Sequence, residues 1–341
     1  MLNIIFWIII GFIGLFFGAK FVIIGLENIA NKLNISHLMV GLTILAVGTS
    51  LPEISVSIMG GIDKLIGLAP SIDGIVIGNK VGSFMTQITL ILGILGLSQN
   101  IIVSKWVLKR EGIMLFLSIF IFIIFALDLV ITYFEAFLFM TTYVLYLIFV
   151  IWSEKKIERK EMEVVTSEKE RLDPKFFETA DSAIKIPSIK YNIGIFLIGL
   201  VFLIIAADIT IFAASSLAQE LNVPTNVVGI LIVGLGTSLP ELIADLTAIR
   251  RKSYGIAVGD ILGSNICDIL FATGAGAIIV EFNVPLIILL FDIPLLIIAL
   301  CFVIFFLWTE KTLKKWESAF LVGFYSFYVL LKLFYFQSTT F

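Results

Sequence analysis

Apolar runs of about 20 residues, each long enough to cross a hydrocarbon core, follow one another along this chain with short polar breaks between them. The pattern predicts ten helices, over residues 4–30, 36–60, 72–97, 109–127, 130–152, 191–219, 225–249, 256–280, 284–308 and 316–336. The longest polar stretch, Ser153 to Lys190, divides them five and five. The expected organisation is a first transmembrane unit over 1–152, a loop over 153–190 and a second transmembrane unit over 191–341. Composition points the same way: 60% of the 341 residues are hydrophobic and 14% charged, far from the balance of soluble domains. The expected fold class is an all-α polytopic membrane protein. The opening segment, MLNIIFWIIIGFIGLFFGAKF, has neither a basic start nor a small-residue cleavage site, so a retained first span is expected rather than a signal peptide.

Charge placement tests the count of spans. Of 23 basic residues, 19 fall in odd-numbered loops: Lys32, then Lys105, Lys109 and Arg110, nine in the central loop, Arg250 to Lys252, and Lys311, Lys314 and Lys315. The even-numbered loops hold only Lys64. Because basic loops stay cytoplasmic, both termini are expected outside and the 153–190 loop inside. That loop carries nine basic and nine acidic residues and no calcium-loop pattern, which describes a solvated connector.

The two halves repeat each other. GLTILAVGTSLPE (Gly41 to Glu53) matches GILIVGLGTSLPE (Gly229 to Glu241) at an offset of 188. IGNKVGS (Ile77 to Ser83) matches VGDILGS (Val258 to Ser264) at an offset of 181. Five spans per half is an odd number, so the halves cross in opposite directions. This is an inverted-topology repeat of two five-helix units, an arrangement that puts a binding site between the halves at the midplane.

The polar residues inside the spans suggest what that site holds. Pro52 and Pro240 cannot donate to the carbonyls of Gly48 and Gly236, and freed carbonyls at membrane depth need protein, water or an ion. Thr49, Ser50, Thr237 and Ser238 add hydroxyl oxygens; Glu53 and Glu241 add charge. An ionised side chain at the bilayer centre costs roughly 2.5–3.5 kcal/mol, so paired carboxylates call for a compensating cation. Ser83 and Gln87 share one helical face, as do Ser264 and Asp268, a third membrane carboxylate. Three charges balance one calcium with one left over, or three sodium ions, and whether Asp268 is ionised or protonated stays open. Hard cations suit such oxygens, calcium taking about 6–8 of them. The site residues include no His or thiolate that would favour zinc or copper. Cys267 and Cys301 are isolated and read as packing residues.

The paired GTSLPE segments, each followed by a G-[ND]-x-x-G-S helix, resemble the two α-repeats of the cation/calcium exchanger superfamily. The overall size is similar to its compact prokaryotic sodium/calcium exchangers, and the resemblance covers essentially the whole chain. It implies ten helices and antiport of sodium against calcium by alternating access, with the first and sixth spans sliding against the rest. By the same resemblance Glu53 and Glu241 coordinate calcium and also serve sodium. Thr49 and Thr237 offer carbonyls as well as hydroxyls, Ala46 and Gly234 offer carbonyls to sodium, and Ser50, Ser238, Ser83 and Ser264 are side-chain oxygen ligands. Asp268 matches a position that is Asp or Asn among relatives, Asp being typical of the potassium-dependent branch. Gln87 stands where compact members usually carry Asn. Lys80 stands where a neutral residue is expected: facing the site, it repels ions or neutralises Asp268; facing away, it snorkels.

The expectation is a secondary antiporter in a prokaryotic plasma (inner) membrane, not an enzyme, with no cofactor. Its partners are calcium and sodium ions and the lipid bilayer, with potassium or protons open as coupling ions. Neither nucleic acid nor an obligate protein partner is indicated. A proton-coupled exchanger would use the same carboxylates, although relatives of that type tend to be acidic where this chain has Ser83 and Ser264. A passive channel fits the inverted repeat poorly, and a hydrolase lacks a nucleophile or metal motif. Lys20 and Asp208 are equivalent positions expected to pair or to lie at the interface. Asn79 and Asp260 are expected to cap their helices or line the aqueous access, Asp245 to face the cytoplasmic vestibule, and His37 to lie at the surface.

Overall fold

The computed structural model describes residues 1–32, 46–68, 72–103, 105–165, 188–250 and 254–339. His37, the first part of the expected second span, residues 166–187 of the central loop, and Arg251 and Lys252 lie outside the described residues.

The structure is helical. The first half holds α1 (Leu2–Lys32), α2 (Ala46–Thr49), α3 (Leu51–Leu65), α4 (Asp73–Met85), α5 (Leu92–Ser98), α6 (Lys105–Phe125) and α7 (Tyr133–Val165). The second half holds α8 (Ile189–Glu220), α9 (Thr225–Val228), α10 (Gly234–Thr237), α11 (Leu239–Arg250), α12 (Tyr254–Cys267), α13 (Thr273–Ala277), α14 (Ile293–Glu310) and α15 (Lys315–Thr339). Wide π-helical turns join α4 to α5 (Thr86–Ile91), α9 to α10 (Gly229–Val233) and α12 to α13 (Asp268–Ala272), and another leads into α14 (Ile288–Asp292). Among the described residues seven stretches are long and apolar enough to cross a membrane by length and composition: Leu2–Gly25, Asp73–Ser98, Tyr133–Ser153, Ile189–Glu220, Thr225–Arg250, Ile288–Thr309 and Lys315–Phe334. α7 runs past its expected end at residue 152, because the Glu, Lys and Met residues that follow are strong helix formers.

Polarity is inverted relative to a soluble protein. Phe134, Phe212 and Leu290 are about two-thirds exposed, whereas Glu53, Lys80, Glu241 and Asp268 are fully buried. A lipid surround explains both, since hydrocarbon accepts the apolar faces and excludes the charges. The structure thus describes an integral, multi-pass membrane protein.

Two packings position the interior. α1 and α8 lie along each other, with Gly11 against Thr210, Gly18 against Leu203 and Gly25 against Phe196, so they run antiparallel. α4 runs parallel to the 225–234 segment, with Gly74 against Thr225 and Gly82 against Ile230. Glycines four apart let the two backbones touch: a Cβ on Gly82 would come within 2.2 Å of the Ile230 carbonyl oxygen. Two antiparallel bridges, too short to be seen in the apolar pattern, tie the halves at their loops. β1 (Ile101–Ile102) pairs with β4 (Thr312–Leu313), and β2 (Val130–Ile131) pairs with β3 (Phe282–Asn283).

Candidate ion-binding site

Both GTSLPE segments break their helices at the same residue. α2 ends at Thr49, Ser50 sits at φ −75°, ψ 1°, and α3 resumes at Leu51. α10 ends at Thr237, Ser238 sits at φ −83°, ψ 3°, and α11 resumes at Leu239. The cause is the proline just inside each resumed helix, which lacks an N–H and is tolerated only in a first turn. A first turn also favours negative charge, and Glu53 and Glu241 occupy it.

Around these breaks the halves are cross-wired. Ser83 Oγ donates to Glu53 Oε1 at 2.9 Å or to Asp268 Oδ2 at 3.4 Å, and meets Ser238 Oγ at 2.7 Å. Gln87 Nε2 donates to Ser83 Oγ at 3.0 Å and lies 3.5 Å from Asp268 Oδ2, while Gln87 Oε1 accepts from Ser264 Oγ at 2.8 Å. Ser50 Oγ reaches the Ser264 carbonyl at 3.4 Å, and Ser238 Oγ donates to the Gly234 carbonyl at 2.8 Å. Gln87 and Asp268 both lie in π-helical turns at equivalent places in the two halves. Such turns widen the helix and often mark functional sites.

Carboxylate oxygens dominate what is left unpaired. Glu53 Oε2, both Glu241 oxygens and Asp268 Oδ1 are buried without a hydrogen-bond partner. The charges act on one another, Asp268 on Glu53 and both of these on Glu241. The described residues hold no group of three or more His, Cys, Asp or Glu arranged to grip a metal on their own. A cation held here therefore relies on hydroxyl, amide and carbonyl oxygens as well.

A second layer links the threonines of each break to the opposite half. Asn79 Nδ2 donates to Thr237 Oγ1 at 2.9 Å, and Thr49 Oγ1 donates to Asp260 Oδ1 at 3.2 Å. Neither Asn79 nor Asp260 caps a helix, because α4 and α12 each begin six residues earlier than these positions. Asp245 is buried beside Asp260 rather than open to a vestibule. The Lys80 side chain points inward and does not snorkel: its Nζ donates to the Glu53 carbonyl at 2.5 Å and to Asn79 Oδ1 at 2.7 Å.

Ala46 opens the short helix that carries Thr49. Lys20 and Asp208 are exposed on α1 and α8, and Lys64 pairs with Asp73 at 2.7 Å. Cys267 is buried, and Cys301 is exposed on the apolar surface.

Hard oxygen donors from two related halves, buried inside a membrane chain, define a protein that handles cations. Comparison with known proteins agrees. The family model described as "Sodium/calcium exchanger protein" matches residues 3–152 and 191–334. The chain is 29% identical to the sodium/calcium exchanger MaX1 of Methanosarcina acetivorans, covering 95% of this chain and 97% of that one. It is 31% identical to the putative antiporter CaxA of Alkalimonas amylolytica, covering 80% of each. A solved structure of the sodium-calcium exchanger NCX_Mj, soaked with 100 mM Na+ and 10 mM Sr2+, superposes with a TM-score of 0.61 at 25% identity, covering 97% of this chain and 99% of that one. The chain belongs to the sodium/calcium exchanger family.

Proposed function

We propose that this chain is a secondary active antiporter that exchanges sodium for calcium by alternating access at the cross-wired site. The observation that carries this reading is the set of four buried, unpartnered carboxylate oxygens on Glu53, Glu241 and Asp268, ringed by hydroxyls from both halves. Hard oxygens at this density suit calcium and sodium alike. The ligand set is Ala46, Thr49, Ser50, Glu53, Ser83 and Gln87 with Gly234, Thr237, Ser238, Glu241, Ser264 and Asp268. The two ions compete for overlapping oxygens, so a cycle driven by inward sodium extrudes calcium.

The architecture that goes with this reading is ten crossings in two inverted units, with the termini outside and the 153–190 loop inside a prokaryotic plasma membrane. The antiparallel course of α1 and α8, the first helices of their halves, supports it. The glycine contacts pack these two helices closely on each other, so we assign to the pair the sliding against the rest that exposes one side or the other. The reaction needs no cofactor and no obligate protein partner, and the ions are substrates rather than residents.

The test is radiolabelled calcium uptake into sodium-loaded proteoliposomes diluted into sodium-free buffer, for wild type and Glu53→Gln, beside vesicles loaded with potassium or acidic buffer. Uptake that needs trapped sodium and is lost in the variant supports the proposal. Uptake driven only by the proton gradient makes the protein a proton-coupled exchanger. Calcium flux with no counter-ion dependence makes it a channel.

A further inference from the structure

We infer that the Lys80 ammonium is a tethered cation that stands in for one transported sodium ion, lowering by one the number of sodium ions exchanged per calcium. The inference rests on the antiport reading and concerns its stoichiometry. Lys80 is fully buried on α4, one turn before Ser83, and both of its hydrogen-bond acceptors are neutral oxygens, the Glu53 carbonyl and the Asn79 amide. Lys332, the other buried lysine among the described residues, pairs directly with a carboxylate, Asp292 Oδ2, at 2.5 Å. An ammonium among carbonyl and amide oxygens is solvated as a monovalent metal ion would be. Its position leaves Glu53 Oε2, Asp268 Oδ1 and both Glu241 oxygens uncommitted. The carboxylates whose charges act on it most strongly are Asp268 and Glu53.

Charge counting gives the consequence. With all three ionised around a bound cation, Glu53, Glu241 and Asp268 carry three negative charges, and Lys80 reduces the sum to two. One calcium ion then neutralises the site, and so do two sodium ions. Both loaded forms become equally neutral, which suits them equally to cross a low-dielectric barrier. Without Lys80 a third monovalent cation is needed, and the calcium-loaded form keeps one uncompensated charge. Asp245 and Asp260 form the next layer, with Thr49 donating to Asp260.

The experiment measures the calcium gradient at which net flux vanishes in proteoliposomes holding a tenfold sodium gradient, for wild type and Lys80→Met. A thiocyanate gradient sets the membrane potential, so potassium is absent. At zero potential wild type should balance against a calcium gradient of about 100-fold and Lys80→Met against about 1,000-fold, since each added sodium multiplies the gradient by ten. The wild-type balance point should ignore the potential, and that of the variant should move with it. A wild-type balance near 1,000-fold, or the same balance point in both proteins, overturns the inference. If Lys80→Met carries no flux, sodium displacement of radiolabelled calcium from detergent-solubilised protein decides: a Hill coefficient rising from about 2 to about 3 supports the inference, and no change overturns it. Absence of sodium-driven flux in wild type would count against antiport itself, and the displacement assay would still report on Lys80.

Discussion

Ser83 and Ser238, one from each half, meet hydroxyl to hydroxyl at 2.7 Å. Ser83 is also within reach of Glu53, Gln87 and Asp268. A hydroxyl has one proton to donate, so Ser83 serves only one of its acceptors at a time. Its oxygen is therefore the point where a change in either half is felt by the other.

Removing that oxygen should weaken binding of both ions. Ser83→Ala is expected to lose about 1–3 kcal/mol, roughly 5- to 150-fold in calcium affinity, by leaving buried acceptors without their donor. Ser264→Ala should cost less, because its hydroxyl serves Gln87 Oε1 and its own helix rather than a carboxylate. Calcium titration of the two purified variants checks the ranking; a larger loss at Ser264 would contradict it.

Neutralising either glutamate should be more severe. Glu53→Gln and Glu241→Gln each remove a fully buried charge from a set built around a cation, a change expected to cost about 3 kcal/mol or more, or at least ~100-fold in calcium affinity. The two should be comparable, since the residues are equivalent in the repeat. Equilibrium binding of radiolabelled calcium gives the comparison directly.

The buried ion pair of Asp292 and Lys332, with Tyr328 OH donating to Asp292 Oδ1 at 2.7 Å, lies outside this ligand set. Asp292→Asn or Lys332→Met alone should destabilise the protein by about 3–5 kcal/mol, because each strands the other charge. The double substitution should recover much of the loss. Thermal unfolding in detergent reads the stability, and the sodium requirement of the double variant should match wild type.

Movement of the α1–α8 pair against the rest can be separated from binding. A Cβ on Gly18 would lie 2.9 Å from the Leu203 backbone nitrogen, and one on Gly11 would lie 2.3 Å from Thr210 Oγ1. Gly18→Val and Gly11→Val should reduce the rate of sodium-driven calcium uptake at least tenfold, roughly the effect of 1.4 kcal/mol on a barrier, with calcium affinity unchanged. Gly323→Val, where an added Cβ meets nothing among the described residues within 4 Å, serves as the control. Equal loss of binding and rate would argue against a sliding role.

Much of the site can be read from the chain, within a definite limit. The breaks at Ser50 and Ser238 follow from Pro52 and Pro240, and the spacing of Ser83 and Gln87 foretells their hydrogen bond, because both depend on local geometry. Asn79 with Thr237 and Thr49 with Asp260 join residues 158 and 211 positions apart. Helical periodicity tells which face a residue occupies but not which partner covers that face. The repeat does carry a signal, however. The offsets of 188 and 181 relate Thr49 to Thr237 and Asn79 to Asp260, so either contact implies the other. Lys80 shares this limit: its spacing from Ser83 puts it near the site, and only the packing of α3 on α4 turns its long side chain to the Glu53 carbonyl. The π-helical turns at Gln87 and Asp268 leave no mark on a 3.6-residue pattern.

The β1–β4 bridge has a consequence for synthesis. Ile101 pairs with Leu313, and the Val103 N–H donates to the Lys311 carbonyl at 2.9 Å. These partners are separated by roughly 200 residues, and at about 5–20 residues per second the ribosome needs on the order of ten seconds or more to make the second after the first. Through that interval the first half holds an open strand edge at the membrane border, a surface that invites foreign pairing. Closure comes only when α14 and the turn after it emerge. Insertion of the early helices and completion of the fold are thus separate events in time, with β4 as the late-arriving latch.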